Sequence, residues 1–533
     1  VRFFNVSGPC DPRFHYMLPA VERLPEAPRL VDRGAYFVVH APRQTGKTTT
    51  LRALARELTV QGKYVALHFT CEVGAAAEDD LVMAQRLILT SIRMAATLEL
   101  PRELRPPTPW PGDPAIDGPQ LLGLGLLAWA QACPRPLVLF FDEIDALRGP
   151  SLMVVLSQLR AGYSTRPDGA PWAAALCGLR DVRDYKAASG GDPGRLGSSS
   201  PFNIKDESMR LGDFTRAELG ALYAQHTQET GQAFTDEALE RAFALTQGQP
   251  WLVNALAREI MDKMRILPPA PITAEHMEEA KERLILARAT HLDSLVAKLH
   301  EDRVSRIIEP LLAGGHVDAD MTYNDDVSYV RDLGLIAITR PLRIANPIYR
   351  EVIARVLSAV VEDHVTVPPS HFVAPDGRLD LRRILEGFAR FWQEHGAALA
   401  GTMPYHEVAQ QLVLMAFLQS IVNGTGFLDR EYGVGRGRID LQLRWPYADE
   451  HGRRQWQREA FELKVWRDKK ADPRDEGLAQ LDAYLDQLGL DHGVLVIFDR
   501  RTDPRAGATP PGERTRFEDT STPAGRPVTV LCA

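Results

Sequence analysis

The stretch FVVHAPRQTGKTTTL, residues 37–51, decides the fold. An apolar run turns through a glycine into TLRALARELTVQG, whose apolar residues recur at helical spacing. A strand that turns this way into a helix presents the first free amides of that helix to the turn. Such amides, joined by a lysine, cradle phosphate groups. The cradle would be Ala41, Pro42, Arg43, Gln44, Thr45, Gly46, Lys47, Thr48 and Thr49. Lys47 would neutralise the β and γ oxygens of a nucleoside triphosphate, and Thr48 would place its hydroxyl on Mg²⁺. The first glycine of the pattern is Ala41 here. Alanine occupies many such backbone conformations at modest cost, so the motif is expected to be weakened and not broken.

Working outward, YVALHFTC (64–71), PLVLFFDEIDAL (136–147) and WAAALCGLRD (172–181) are further apolar runs, separated by amphipathic segments. That alternation implies a parallel sheet with right-handed crossovers, an α/β layout. The second of these runs ends in Asp142 and Glu143. Asp142 would hold Mg²⁺ through water, and Glu143 would polarise the attacking water.

At 533 residues the chain is too long for a single core, and roughly three or four domains are expected. The 45% hydrophobic and 25% charged residues are those of a globular protein. No uninterrupted apolar run has the length of a membrane span, and the first thirty residues carry charges and prolines, so a cytoplasmic location with no membrane partner is expected. Cys10, Cys71, Cys133, Cys177 and Cys532 stand far apart, which argues against a zinc module or a disulfide framework. A net charge of −8 excludes a global electrostatic case for nucleic acid; any such binding must rest on local basic surfaces.

The proline-dense PRELRPPTPWPGDP (101–114) reads as a surface loop, and the polar, glycine-rich 186–201 as mobile. With the α/β core over 1–212, a helical subdomain is expected over 213–271, opened by Thr215 and Glu218 at capping-box spacing. Over 272–366 the chain is helical until DVSYVRDLGLIAITRPLRI, where a helix followed by two short strands around Arg340 and Pro341 reads as a winged helix-turn-helix. The acidic start of its DDVSYVRD helix argues against direct base reading. A linker is expected over 367–378. A last α/β domain, 379–533, should hold helices at 382–395 and 404–423, three strands, a further helix and a flexible tail before the closing strand VTVLCA.

APRQTGKTT, LVLFFDEIDAL, CGLRD and TQGQPWLVNAL together resemble an AAA+-type P-loop ATPase, of the branch related to archaeal and STAND ATPases, over residues 1–360. The resemblance implies ATP as ligand, Gly248 and Pro250 shaping a lid, and Arg180 or Arg183 reading the γ-phosphate. A polar sensor residue normally ends the third of these strands; this chain has Cys177-Gly178 there. Such ATPases often form rings in which an arginine reaches the neighbouring subunit. The resemblance makes Arg160 a candidate for that role and a homo-oligomer a candidate state.

A second site lies in GRGRIDLQLRWPYADEHGRRQWQREAFELKVW, 435–466. RIDLQLRW and REAFELKVW form a candidate hairpin with Asp440 in the first strand and Glu462-x-Lys464 in the second. Alternation along a strand sets Glu462 and Lys464 on one face, as a metal ligand and its neighbouring cation must be. The series Glu407, Asp440, Glu462-x-Lys464, then Gln480 and Tyr484, resembles the PD-(D/E)xK nuclease superfamily over about 400–500, with a restriction-endonuclease-like fold. The resemblance implies Mg²⁺ or Mn²⁺ held by Glu407, Asp440 and Glu462, Lys464 at the reacting phosphate, and Gln480 and Tyr484 as auxiliaries on the next helix. Arg436, Arg438, Arg453, Arg454, Arg458, Arg467, Lys469 and Lys470 cluster around the hairpin and could track a nucleic-acid backbone. The expectation is an ATPase joined to a metal-dependent nuclease acting on nucleic acid, DNA first. Two rivals are a nucleotide-dependent sensing switch and a DNA-dependent helper ATPase, each with a nuclease-like domain that only binds.

Overall fold

The computed structural model describes the chain except residues 1, 79, 111–119, 148, 180–203, 288–291, 293–295, 313–324, 363–364, 366, 397–408, 423–424, 435–436, 469 and 502–514. It forms two compact units, Val1–Ala287 with Ser328–Ile338, and Arg288–Val327 with Thr339–Ala533.

In the first unit, β1 (Tyr36–His40), β2 (Val65–Thr70), β3 (Leu137–Asp142), β4 (Ala173–Gly178) and β5 (Lys205–Arg210) make an all-parallel sheet in the order β2-β3-β4-β1-β5. Residues of β3 and β4 are buried throughout, the continuous apolar run that a sheet covered on both faces requires. On one face Phe69, Phe141 and Leu139 pack with α2 (Leu81–Glu99), α3 (Leu121–Ala132) and α4 (Gly149–Gly162). On the other, Phe37, Val138 and Phe140 pack with Leu51 and Leu54 of α1 (Lys47–Val60). The fifth strand escapes sequence reading because KDESMR is polar. It is an edge strand with one buried residue, Met209.

Two segments depart from expectation. The proline-dense loop after α2 is anchored: Trp110 is buried beside Trp129 at a ring separation of 6.4 Å, and its Nε1 donates to the Leu89 carbonyl at 3.2 Å. Proline density marks irregular backbone, and it leaves side-chain burial open. Trp110→Ala is expected to destabilise the first unit by about 3–5 kcal/mol, measured as a lowered urea midpoint. Helix α2 is long and apolar enough, by length and composition, to cross a membrane, although interrupting polar residues hide this in the sequence. It packs on β2, α3 and α4 through Ala84, Ile88, Leu89 and Ile92.

The helical subdomain follows its predicted start. In α5 (Arg216–Thr230) the Glu218 amide donates to Thr215 Oγ1 at 3.1 Å, and the Thr215 amide donates to Glu218 Oε2 at 2.7 Å. Then come α6 (Asp236–Thr246), α7 (Pro250–Arg258) and α8 (Ala274–Leu286). Also within this unit, the end of helix Asp325–Asp332 meets β5: Arg210 donates to Asp332 Oδ1 at 3.2 Å and to the Arg331 carbonyl at 3.0 Å. The turn that follows holds Gly334 at φ +80°, where a Cβ would come within 2.8 Å of the Pro42 side chain. The two strands expected around Arg340 and Pro341 are present only as single bridge residues, Ile336 and Ile344, with turns and bends between. Pro341 offers no amide to a ladder.

In the second unit, α9 (Ala409–Val422) falls within the expected 404–423. The expected linker is not a bare tether: Phe372 is fully buried, 5.9 Å from the Phe417 ring of α9. The strands β6 (Phe427–Val434), β7 (Gly437–Ala448), β8 (Arg454–Trp466), β9 (Gly493–Asp499), β10 (Arg516–Ser521) and β11 (Pro527–Cys532) form a mixed sheet in the order β10-β11-β9-β8-β7-β6. The predicted hairpin is there, β7 antiparallel to β8 with Leu441 opposite Phe461. Helix α10 (Arg474–Leu488) covers one face, setting Leu478, Leu481 and Leu485 on Ala460, Leu495 and Ile497. Part of the expected flexible tail is β10, paired to the closing strand; its RFEDTS is too polar to read as a strand because it is an exposed edge.

Candidate functional site

The phosphate loop joins the C-terminal end of β1 to α1 in the middle of the sheet, where neighbouring strands lead away in opposite directions and leave a crevice. Gln44 and Gly46 take positive φ, 59° and 89°, and so aim the loop's backbone inward. Ala41 has negative φ and is fully buried, its amide donating to the Gly178 carbonyl at 3.2 Å, which is why an alanine replaces the usual glycine without strain. Lys47 Nζ donates to the carbonyls of Ala41 and Pro42. Burial lowers its pKa, opposed by the charges of Asp145 and Asp142.

Thr48 Oγ1 donates to Asp142 Oδ2 at 2.7 Å, so the two groups assigned to Mg²⁺ stand together. Burial opposes ionisation of Asp142, yet His68, Thr48 and Lys47 outweigh it and hold the carboxyl below its ordinary value. Glu143, at φ 55°, leaves the strand in a left-handed conformation that costs a non-glycine residue energy and redirects its carboxylate. Thr70 Oγ1 donates to Glu143 Oε2 at 2.7 Å, while burial, Glu72 and Asp142 push the Glu143 carboxyl up.

These groups line a cavity of about 1150 Å³. The expected lid residue Pro250 lines it with Trp251 and Asn254 of α7, and Gly248, at φ +80°, sits where a Cβ would collide with the Phe214 carbonyl. Two lining residues escape sequence reasoning. Arg23 is held by Glu218 at 3.3 Å and the Gly212 carbonyl at 2.7 Å, over the Phe214 ring. No spacing rule links Arg23 to the loop. His68 Nε2 lies 2.9 Å from Asp142 Oδ2, and here a signal existed: a histidine inside an apolar strand, two residues before Thr70, which pairs with Asp142. Losing that charge-assisted contact should loosen Asp142, so His68→Ala is expected to raise the Mg²⁺ concentration for half-maximal nucleotide binding roughly tenfold, read by Mg²⁺ titration of a fluorescent ATP analogue.

Cys177, where a polar sensor residue was expected, is fully buried, its thiol donating to the Ala175 carbonyl at 3.8 Å, and among the described residues Gly178 and Leu179 line the cavity from that strand end. Arg180 and Arg183 lie outside the described residues. Arg160 is exposed on α4, away from the cavity lining.

In the second unit, Asp440 Oδ2 accepts the Leu463 amide at 2.8 Å, and one more step of the β7–β8 register sets Asp440 opposite Glu462. Lys464 Nζ lies 3.2 Å from Glu462 Oε1 and 3.4 Å from Glu476 Oε1, and donates to Gln480 Oε1. Thus Asp440, Glu462, Lys464 and Gln480 converge. Tyr484 packs instead against the apolar layer under α10. Glu407 and Lys469 lie outside the described residues. Among the described residues no group of three or more His, Cys, Asp or Glu is placed to hold a metal ion, so the expected third carboxylate is not seen there.

Glu462 is 3% exposed, and its Oε2 makes no hydrogen bond among the described residues. Burial first, then the Asp440 charge, lift its carboxyl from 4.5 to about 8, against the pull of Lys464. An orphaned buried carboxylate oxygen of this kind fits a divalent cation. Between pH 4.5 and 8 the folded state keeps a proton that the unfolded chain has released, so this group's stabilisation is lost as pH rises through that window. Melting temperature in EDTA is therefore expected to fall from pH 5 to pH 8 through Glu462, and Mn²⁺ should restore it most at the alkaline end. Glu462→Gln should flatten both responses.

No protein-family model matches the chain, and no curated protein does. Among solved structures it is similar to a Walker-type ATPase of Pyrococcus abyssi, with TM-score 0.46 and 12% identity over 66% of this chain and 99% of that one. It is also similar to the ORC1 protein of Aeropyrum pernix, solved in complex with DNA, at TM-score 0.33 and 13% identity over 64% and 93%. The RuvB Holliday junction branch migration motor of Thermotoga maritima matches at 0.32 and 16% over 62% and 92%. Likeness this distant carries no statement about substrate or partners.

Proposed function

We propose that the chain is an ATP-binding and ATP-hydrolysing protein of AAA+ type, with a helical lid over 213–271 and a winged-helix-like module over 272–366. In this reading its C-terminal domain, 379–533, is a restriction-endonuclease-like, metal-dependent nuclease acting on nucleic acid, DNA first. The observation that carries the ATPase half is the convergence of Lys47, Thr48, Asp142 and Glu143 at one cavity. The amides at the start of α1 and Lys47 hold the phosphates, Thr48 and Asp142 hold Mg²⁺, and Glu143 takes the proton of the attacking water.

For the nuclease half, the support is half-buried Asp440 facing buried Glu462, with Lys464 beside it. Mg²⁺ or Mn²⁺ bound there would activate water and screen the scissile phosphate. Lys464, held by Gln480 and Glu476, is positioned to meet the charge that develops on the phosphate. The second reading is a nucleotide-dependent switch whose C-terminal domain binds without cutting. The deciding experiment is incubation of labelled single- and double-stranded DNA with Mg²⁺ or Mn²⁺, with and without ATP, for wild type and Lys47→Ala. Metal-dependent cutting that changes in Lys47→Ala supports the coupled enzyme. ATP turnover with every substrate intact moves the switch to the front.

A further inference from the structure

The outer half of the β7–β8 ribbon carries a group of side chains that neither packing nor the candidate metal site uses. Along β8, residues of even number share a face, so Arg454, Trp456 and Arg458 point to the same side as Glu462 and Lys464. The register adds Arg444 of β7, opposite Arg458, and Phe427 of β6, opposite Arg444. Their rings and guanidinium groups stack. Arg454 lies 4.8 Å from the Trp456 ring, Trp456 5.5 Å from Phe427, and Arg444 4.9 Å from Phe427.

Charge makes this face unusual. Arg444 is neutralised by Asp429 at 2.8 Å. Arg458, exposed and directly opposite it, has no ion-pair or hydrogen-bond partner among the described residues, nor does the guanidinium of Arg454 beyond its stacking. Trp456 is only half buried, and its indole N–H makes no hydrogen bond among the described residues. Between this arm and Glu462 the same face carries Asp429, Gln442 and Ala460, all buried, with Ala460 under α10. At ~3.4 Å per residue, Arg458 stands about 14 Å and Arg454 about 27 Å along the strand from Glu462.

We infer that this face seats single-stranded nucleic acid, bases stacked on Trp456 and Phe427 and phosphates met by Arg454 and Arg458. A duplex keeps its base faces stacked inside, out of reach of Trp456; a single strand does not. The inference does not depend on the nuclease reading.

The test is anisotropy of labelled oligothymidylate, oligouridylate and a DNA duplex of equal length with the full chain in EDTA, where nothing is cut. Single strands should bind more tightly than duplex, and comparing the first two separates DNA from RNA as the source. Trp456→Ala should weaken binding by about tenfold or more, with Trp456→Phe recovering most of it. Arg454→Glu with Arg458→Glu should lower the slope of log affinity against log salt by at least about 0.7 for each arginine. Recovery by phenylalanine excludes a merely misfolded alanine variant. Absence of single-strand binding, or binding indifferent to both sets of changes, overturns the inference while leaving Mn²⁺-dependent cutting to be judged on its own. Binding as expected with no cutting in Mn²⁺ sinks the nuclease reading and leaves the seat standing.

Discussion

Glu143→Gln is expected to lower ATP turnover by about 10²–10⁴-fold, the range a positioned general base contributes, with nucleotide affinity kept. The amide keeps the size of the side chain and can still accept from Thr70 Oγ1, now 2.7 Å from Glu143 Oε2, but it cannot take a proton from water. Thr48, Asp142 and Lys47 are untouched, so a fluorescent ATP analogue should bind as before. Single-turnover hydrolysis set beside equilibrium binding separates the two effects. If turnover falls only a few-fold, the water is activated elsewhere and the role given to Glu143 is wrong. A wild-type protein that binds no nucleotide would remove the ATPase reading altogether.

Glu462→Ala is expected to lower metal-dependent cutting by at least about a hundredfold, because a bound metal supplies several kcal/mol of charge stabilisation and each 1.36 kcal/mol is a factor of ten. The variant also removes a buried carboxyl that sits at about 8 without metal, so the folded domain should become more stable, or no less so, near neutral pH. Loss of cutting together with an unchanged or raised melting temperature would mark Glu462 as a functional group held at a cost to stability. A simultaneous collapse of both would make it structural.

Both predictions concern residues legible in the sequence, because the strand-turn-helix pattern and the alternation of Glu462 and Lys464 are local. Local periodicity also gave the capping box at Thr215 and the β7–β8 hairpin. What escaped reading depends on contacts between distant segments. Arg23 reaches the nucleotide cavity only because Gly212 and Glu218 hold it there. Trp110 and Phe372 sit in proline-rich segments that look exposed, yet partners elsewhere in the chain bury them. The polar edge strands β5 and β10 carry no apolar signature, since one side of each needs none.

The packing of Gly334 on Pro42 sets a clock during synthesis. The phosphate loop leaves the ribosome before the turn that completes its surroundings, which follows about 290 residues later; at about 5–20 residues per second that is a delay of roughly 15–60 s. During that interval the nascent chain carries a loop with one wall unbuilt. The loop's surroundings are therefore finished only when the turn at Gly334 has been made.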